Sequence, residues 1–175
     1  MPKKTDSMRF FCIIVTLGIF LVSCTRTVYI VRHAERATPA DSAGMMKSDP
    51  PLSDAGKVRA IVLKDELVGK HITHIYSTNT TRTKATAEPL SKSIKVKVEF
   101  YSDLDSLVNT IRSSKGNVLV VGHSNTVDDI VNKLCGRVEI SSDLKDGEYD
   151  NLFILRMRGK KVTFDKRKYG YPSNP

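Results

Sequence analysis

Four side chains in this 175-residue sequence stand where an α/β protein gathers its chemistry. Arg32 and His33 directly follow the apolar run Val28-Tyr29-Ile30-Val31. Arg82 lies in the Ser/Thr-rich stretch that begins at Ser77. His123 sits in Gly122-His123-Ser124, after Val118-Leu119-Val120-Val121. Two histidines and two arginines suit transfer of a phosphoryl group to an imidazole. A neutral ring nitrogen attacks phosphorus, provided the other ring nitrogen is held so that the tautomer is fixed. The phosphoryl oxygens need fixed positive donors, and the planar fork of arginine supplies two hydrogen bonds and a permanent charge. A second histidine can donate to a further oxygen. Cations that do this charge work leave no role that demands a metal or other cofactor.

Competing readings of the same residues are weaker. A lone histidine beside a strand is usually a satisfied core residue, but Arg32 is its neighbour, and two buried cationic groups require anions. Arg82 on a helix start is by default a surface arginine; the spacing from Ser77 and the anion-friendly helix N-terminus favour a pocket. A zinc site from His33, His71, His74 and His123 fits no known ligand spacing. His71 and His74 are read as surface or structural.

These residues need a scaffold that brings them together. Val28–Val31 reads as a buried strand. Ser53 can cap a helix running to about Gly69, with Ala55, Val58, Ile61, Val62 and Leu67 expected on its buried side. Strands are expected at 72–76, 96–100 and 118–121, and helices from Thr80 or Thr81 through Leu90, over 104–112 and over 126–135. Residues 152–157 and 161–165 read as a hairpin turning at Arg158-Gly159-Lys160. This alternation predicts a single domain over residues 24–175: a three-layer α/β/α sandwich around a largely parallel sheet. Functional groups then collect at the carboxyl ends of the strands, which is where all three polar clusters fall.

Four segments, taken together, resemble the histidine phosphatase superfamily in its short, phosphoglycerate mutase-like form. Val28-Tyr-Ile-Val-Arg32-His33-Ala34-Glu35 is similar to that family's strand followed by Arg-His-Gly-Glu, with alanine in place of glycine. Pro51-Leu52-Ser53-Asp54-Ala55-Gly56 resembles the start of its first helix. Residues 76–87 are similar to its Ser-x-x-x-Arg-x-x-x-Thr-Ala segment, and Val118–Ser124 to its second histidine segment. The resemblance implies that His33 is the nucleophile that becomes phosphohistidine, that Arg32, Arg82 and His123 form the phosphate pocket, and that water hydrolyses the intermediate.

The acid that protonates the leaving group is the least legible part. The family often places it in an inserted segment that is short here, so Asp103 is the first candidate, although it also suits the cap of the following helix. Glu35 is the second. Asp128 and Asp129 are expected on a helix's first turns. Without an acid, substrates with good leaving groups would be preferred. Three functions stay open: a phosphatase of small phosphomonoesters, a phosphohistidine or phosphoprotein phosphatase of the same fold, and a catalytically weak phosphate-binding module. A glycolytic mutase role is disfavoured by an export signal.

That signal lies in the first 23 residues. Lys3, Lys4 and Arg9 precede the uncharged, largely apolar run from Phe10 to Val22, too short to span a bilayer but suited to a signal peptide. Leu21-Val22-Ser23-Cys24 resembles a bacterial lipobox, so lipidation of Cys24 and anchorage to a membrane outside the cytoplasm are expected; a start at Met8 would preserve this. Thr25, Arg26 and Thr27 then span roughly 10 Å, and a pocket at the far end of the first strand would face away from the lipid. Cys135 is left as a buried structural thiol. The formal charge of +9 raises the question of nucleic acid, but the lysines are mostly scattered and no nucleic-acid motif accompanies them. The denser basic tail Lys160–Tyr171 has two readings, contact with anionic lipid or a solvated hairpin, and the solvated hairpin is favoured.

Overall fold

The computed structural model describes residues 25–38 and 48–173. The signal-peptide reading, Cys24 and residues 39–47 of the loop after the first strand lie outside these residues.

A six-stranded sheet runs through the centre in the order β3-β2-β4-β1-β5-β6. β1 (Arg26–Arg32), β2 (Ile72–Ser77), β3 (Val98–Phe100) and β4 (Asn117–Gly122) are parallel. β5 (Asn151–Arg158) runs antiparallel to β1, and β6 (Lys161–Lys168) closes the sheet as a hairpin. Gly159, at φ 57°, turns this hairpin in a conformation that costs other residues dearly. The helices are α1 (Asp54–Leu67), α2 (Thr81–Ile94), α3 (Leu104–Ser113) and α4 (Val127–Cys135).

Strands buried on both faces read as continuous apolar runs. Val28, Ile30, Val118 and Val120 face one layer with Ile111, Ile130 and Leu134 of α3 and α4. Tyr29, Val31, Leu119 and Val121 face the other with Leu63 and Leu67 of α1 and Ala87 and Leu90 of α2. The three-layer architecture expected from the sequence is therefore present, although β5 and β6 make the sheet mixed. Cys135 is half-buried against the first of these cores rather than fully enclosed.

One expectation about α1 fails. Val58 and Ile61 are 47% and 49% exposed, Ala55 is exposed and Val62 only half-buried. The buried face is Gly56, Arg59, Ala60, Leu63 and Leu67. Polar contacts decide the helix's rotation. Ser53 caps the helix by accepting from Gly56 N (3.1 Å), while its own N donates to Glu35 O (2.9 Å). Arg59 turns inward to grip the Glu35 carboxylate and the Tyr169 carbonyl. A Cβ on Gly56 would stand 2.2 Å from Glu35 O, so only glycine lets α1 lie against the chain that follows His33.

Candidate active site

The parallel strands deliver the expected residues to one edge. Arg32 is the last residue of β1, paired with Gly122 of β4. The ladder runs one step further: His33 N donates to Gly122 O (2.9 Å), which seats His33 beside His123. Their rings lie 5.4 Å apart, edge on. Ser77 ends β2, and Arg82 stands in the first turn of α2. Thr86, one turn further on, joins the two segments, because its Oγ1 accepts from Ala34 N (3.0 Å) and donates to Arg82 O (2.8 Å).

His33 is 4% exposed. Its Nδ1 lies 2.8 Å from Ala34 O, which can only accept, so Nδ1 carries the proton. Nε2 then keeps its lone pair and accepts from Arg82 Nε (3.2 Å). Burial lowers the ring's pKa to about 3; the Ala34 bond pulls it up, and Arg32, Arg82 and His123 reinforce the depression. His33 is thus a neutral imidazole whose unprotonated Nε2 can act as a nucleophile once Arg82 passes its bond to an arriving phosphoryl oxygen. His123 is likewise neutral: burial first, then Arg82 and Arg32, bring its pKa to about 4. Arg82 Nη2 donates to its Nδ1 (3.3 Å), so its Nε2–H donates to Thr78 Oγ1 (2.9 Å).

The two arginines are held by different means. Arg82 spends its fork on three acceptors: His33, His123 and, through Nη1, the Asp49 carboxylate at 3.1 Å. Asp49 also caps α2, accepting from Thr81 N (2.9 Å) and Thr81 Oγ1 (2.8 Å). Burial acts to raise the Asp49 pKa, but the Thr81 bonds and Arg82 outweigh it and hold the carboxylate below its ordinary value. Arg32 is 3% exposed. Its Nη1 donates to Lys145 O (2.7 Å) and Asp146 O (3.0 Å), and the guanidinium lies 4.3 Å from the centre of the Tyr149 ring. Its Nε is buried with no hydrogen-bond partner among the described residues. Tyr149 also approaches His33, at 5.9 Å between rings.

The structure thus joins His33, Arg82 and His123 by direct bonds and ties Arg32 to them through Tyr149. Neither candidate acid bonds to these four residues among the described residues. Asp103 caps α3 by accepting from Ser106 N (2.8 Å), which lowers its pKa. Glu35 is gripped by Arg59, with Nη2 at 2.6 Å and Nε at 2.8 Å. Both carboxylates are committed to structure. Asp128 and Asp129 do lie in the first turn of α4, and burial raises the Asp128 pKa. His71 is exposed, and His74 stacks on Tyr76 near Glu99. Asp49, Thr78 and Tyr149 are neighbours that sequence reasoning does not single out. Asp49 lies beside the recognised Pro51-Leu52 start, a signal that could have found it; Tyr149 carries no local signal.

Residues 28–108 match the family model described as histidine phosphatase superfamily (branch 1). Over 80 residues the chain is 35% identical to the Salmonella choleraesuis protein named "Probable phosphoglycerate mutase GpmB", covering 46% of this chain and 37% of that protein. The chain therefore spans well under half the length of this curated relative. Among solved structures, the protein histidine phosphatase SixA complexed with tungstate superposes with a TM-score of 0.62 at 17% identity, covering 81% of this chain and 96% of that one. A phosphoglycerate mutase from Bacillus anthracis str. Sterne does so with a TM-score of 0.58 at 14% identity, covering 83% and 93%. The family model thus matches residues 28–108, just under half of the chain, and the solved neighbours share the fold.

Proposed function

We propose that the chain is a metal-independent phosphatase that works through a phosphohistidine on His33 and takes small phosphomonoesters. The observation that carries this is the Arg82 fork, which touches the lone-pair nitrogen of His33 and the ring of His123 at once. A phosphoryl group placed there would meet the nucleophile and two cations together. His33 Nε2 forms the bond to phosphorus as the bond to the leaving oxygen breaks, and the leaving group takes up a proton from solvent, which the attacking water later returns. Water then attacks phosphorus, the P–N bond breaks, and inorganic phosphate departs from a neutral His33. Arg82 and Arg32 balance the charge on the phosphoryl oxygens, and the unpartnered Nε of Arg32 is a donor suited to one of them. Trapping a phosphorylated, acid-labile protein during hydrolysis of p-nitrophenyl phosphate tests this. Its loss in His33→Ala supports the reading, and full hydrolysis by that variant overturns it.

A second reading within the fold is favoured by the acids. Glu35 and Asp103 are both committed elsewhere, so a leaving group that departs without strong acid help, such as the imidazole of phosphohistidine, suits the site. One structural neighbour is named a protein histidine phosphatase. Comparing kcat/KM for phosphohistidine peptides and alkyl phosphomonoesters decides between them. Binding without turnover of either would leave the phosphate-binding module. We further propose export and attachment at Cys24. With His33 at the carboxyl end of β1 and the preceding segment at the amino end, the pocket faces away from the attachment point.

A further inference from the structure

The sheet separates charge along its length. The amino ends of β1 to β4 lie at one edge, with the carboxyl end of β5 and the start of β6. The connections there are Thr25, residues 68–71, 95–97 and 114–116, and the turn at 159–160. Their charged residues are Lys70, Lys95, Lys97, Lys115 and Lys160, with no Asp or Glu. All five lysines are exposed, and none is in an ion pair among the described residues. Arg112, Arg158 and Lys161 flank them, exposed, at the ends of α3, β5 and β6. The acids nearby are Asp65 and Glu66 in the last turns of α1 and Glu139, which Arg137 neutralises. The opposite edge, around His33, is mixed: Asp49, Asp54, Asp103, Asp105, Asp128, Asp129, Asp146 and Glu148 stand there with Arg32, Arg36, Lys57, Arg82, Lys84 and Lys145.

Helix dipoles explain part of this polarity. They favour acids at helix starts, as with Asp54, Asp105, Asp128 and Asp129, and bases in last turns, as with Arg112. They account as well for lysines that follow helix ends, such as Lys95 at the C-cap of α2, but not for Lys160, Lys161 and Arg158, which sit on a hairpin with no helix. Something at that edge selects positive charge. The sequence supplies a direction: the apolar run Phe10–Val22 ends three residues before Thr25, which is at this same edge.

We propose that this lysine-rich edge is a membrane-docking surface that rests on anionic lipid headgroups and holds the His33 edge outward. Clusters of four to eight basic residues beside an attachment point are suited to anionic leaflets, and the attraction fades beyond a Debye length of about 10 Å at 0.1 M salt. The inference rests on the attachment reading for its orientation and adds a second, electrostatic contact. Two weak signals acting together hold a protein far better than one.

The experiment measures flotation of the full chain with vesicles of phosphatidylcholine alone and with vesicles that also contain phosphatidylglycerol. The expected result is tighter binding to the anionic vesicles. That surplus should fall at least about tenfold when Lys70, Lys95, Lys97, Lys115 and Lys160 are all changed to Glu, and also in high salt. The same change of net charge at Lys57, Lys84, Lys145, Lys166 and Lys168, toward the other edge, should leave most of it. Equal losses in both variants, or no surplus at all, overturn the proposal. So does a surplus that survives the edge variant while binding to a duplex oligonucleotide is lost. Failure of the attachment reading alone looks different: no binding to phosphatidylcholine, with the anionic surplus intact. The thermal melt of the edge variant checks that it folds. If it does not, the milder Lys115→Gln/Lys160→Gln pair replaces it: a severalfold loss of the surplus supports the proposal, and an unchanged surplus overturns it.

Discussion

The two arginines of the site are mounted in opposite ways. Arg32 is built in: its guanidinium is buried, takes two backbone carbonyls of the 145–146 loop and lies on the Tyr149 ring. Arg82 is held by side chains alone, on an exposed helix start, with Asp49 on one side and the two imidazoles on the other. Removing Arg32 breaks a loop as well as a site. Removing Arg82 breaks the site and little else. A donor that belongs to the scaffold gives position; one held by acceptors that can be exchanged can transfer its bonds to an arriving phosphoryl group.

The largest expected effect tests what both arginines serve. His33→Ala should lower kcat by on the order of 10³-fold or more, read as hydrolysis of p-nitrophenyl phosphate and loss of the trapped phosphoprotein. The next prediction separates the arginines. Arg32→Ala and Arg82→Ala should each cost on the order of 10²-fold in kcat/KM. Their stabilities should differ. Arg32→Ala leaves the carbonyls of Lys145 and Asp146 without their donor and should cost about 2–3 kcal/mol in denaturant unfolding; Arg82→Ala should stay within about 1 kcal/mol. Equal losses of stability would erase the distinction.

The same division governs what is legible in the sequence. His33, Arg32, Arg82 and His123 each sit at a strand end or helix start inside a short segment, so local pattern finds them and the parallel sheet does the rest. What holds them is mostly distant. Tyr149 meets Arg32 from a loop more than a hundred residues away, in a segment with no periodicity. The inner face of α1 escapes a sequence reading for a related reason. Hydrophobicity favours Val58 and Ile61, but Arg59 is drawn in by Glu35 and the Tyr169 carbonyl, partners that only the fold supplies. The bonds of the acids are equally hidden: Glu35 is held by Arg59, and Asp103 caps α3.

Asp49 offers a sharper cut, because it ties Arg82 to the backbone of α2. Asp49→Ala should lower kcat about tenfold by loosening the guanidinium and cost about 1 kcal/mol through the lost cap. Asp49→Asn keeps an acceptor for Thr81 N, so it should recover most of the stability and less of the rate. Matching recovery of both would reduce Asp49 to a cap.

The neutral histidines make a prediction about acid. An unfolded histidine takes a proton near pH 6.5, whereas folded His33 refuses it until about pH 3 and His123 until about pH 4. The unfolded chain therefore binds more protons across that window, and stability falls as the pH drops from 6.5 toward 3. His33 alone contributes up to about 1.4 kcal/mol per pH unit there. NMR titration should show no protonation of His33 between pH 8 and 5, and the acid-side slope of stability should shrink in His33→Gln. A His33 midpoint near 6.5 would remove the argument for an unprotonated Nε2.

The smallest expected effect probes the Arg32 side. Tyr149 gives Arg32 a ring face and approaches His33 at a tilt of 50° between rings. Tyr149→Phe keeps the ring, so kcat/KM should change less than twofold if stacking is what matters; Tyr149→Leu removes the π face and should cost about fivefold. Steady-state kinetics on both variants reads the difference. Should Tyr149→Phe fall as far as Tyr149→Leu, the hydroxyl rather than the ring is at work. Tyr149 would then be a polar group beside the nucleophile, and the site would have a proton donor where neither Glu35 nor Asp103 supplies one.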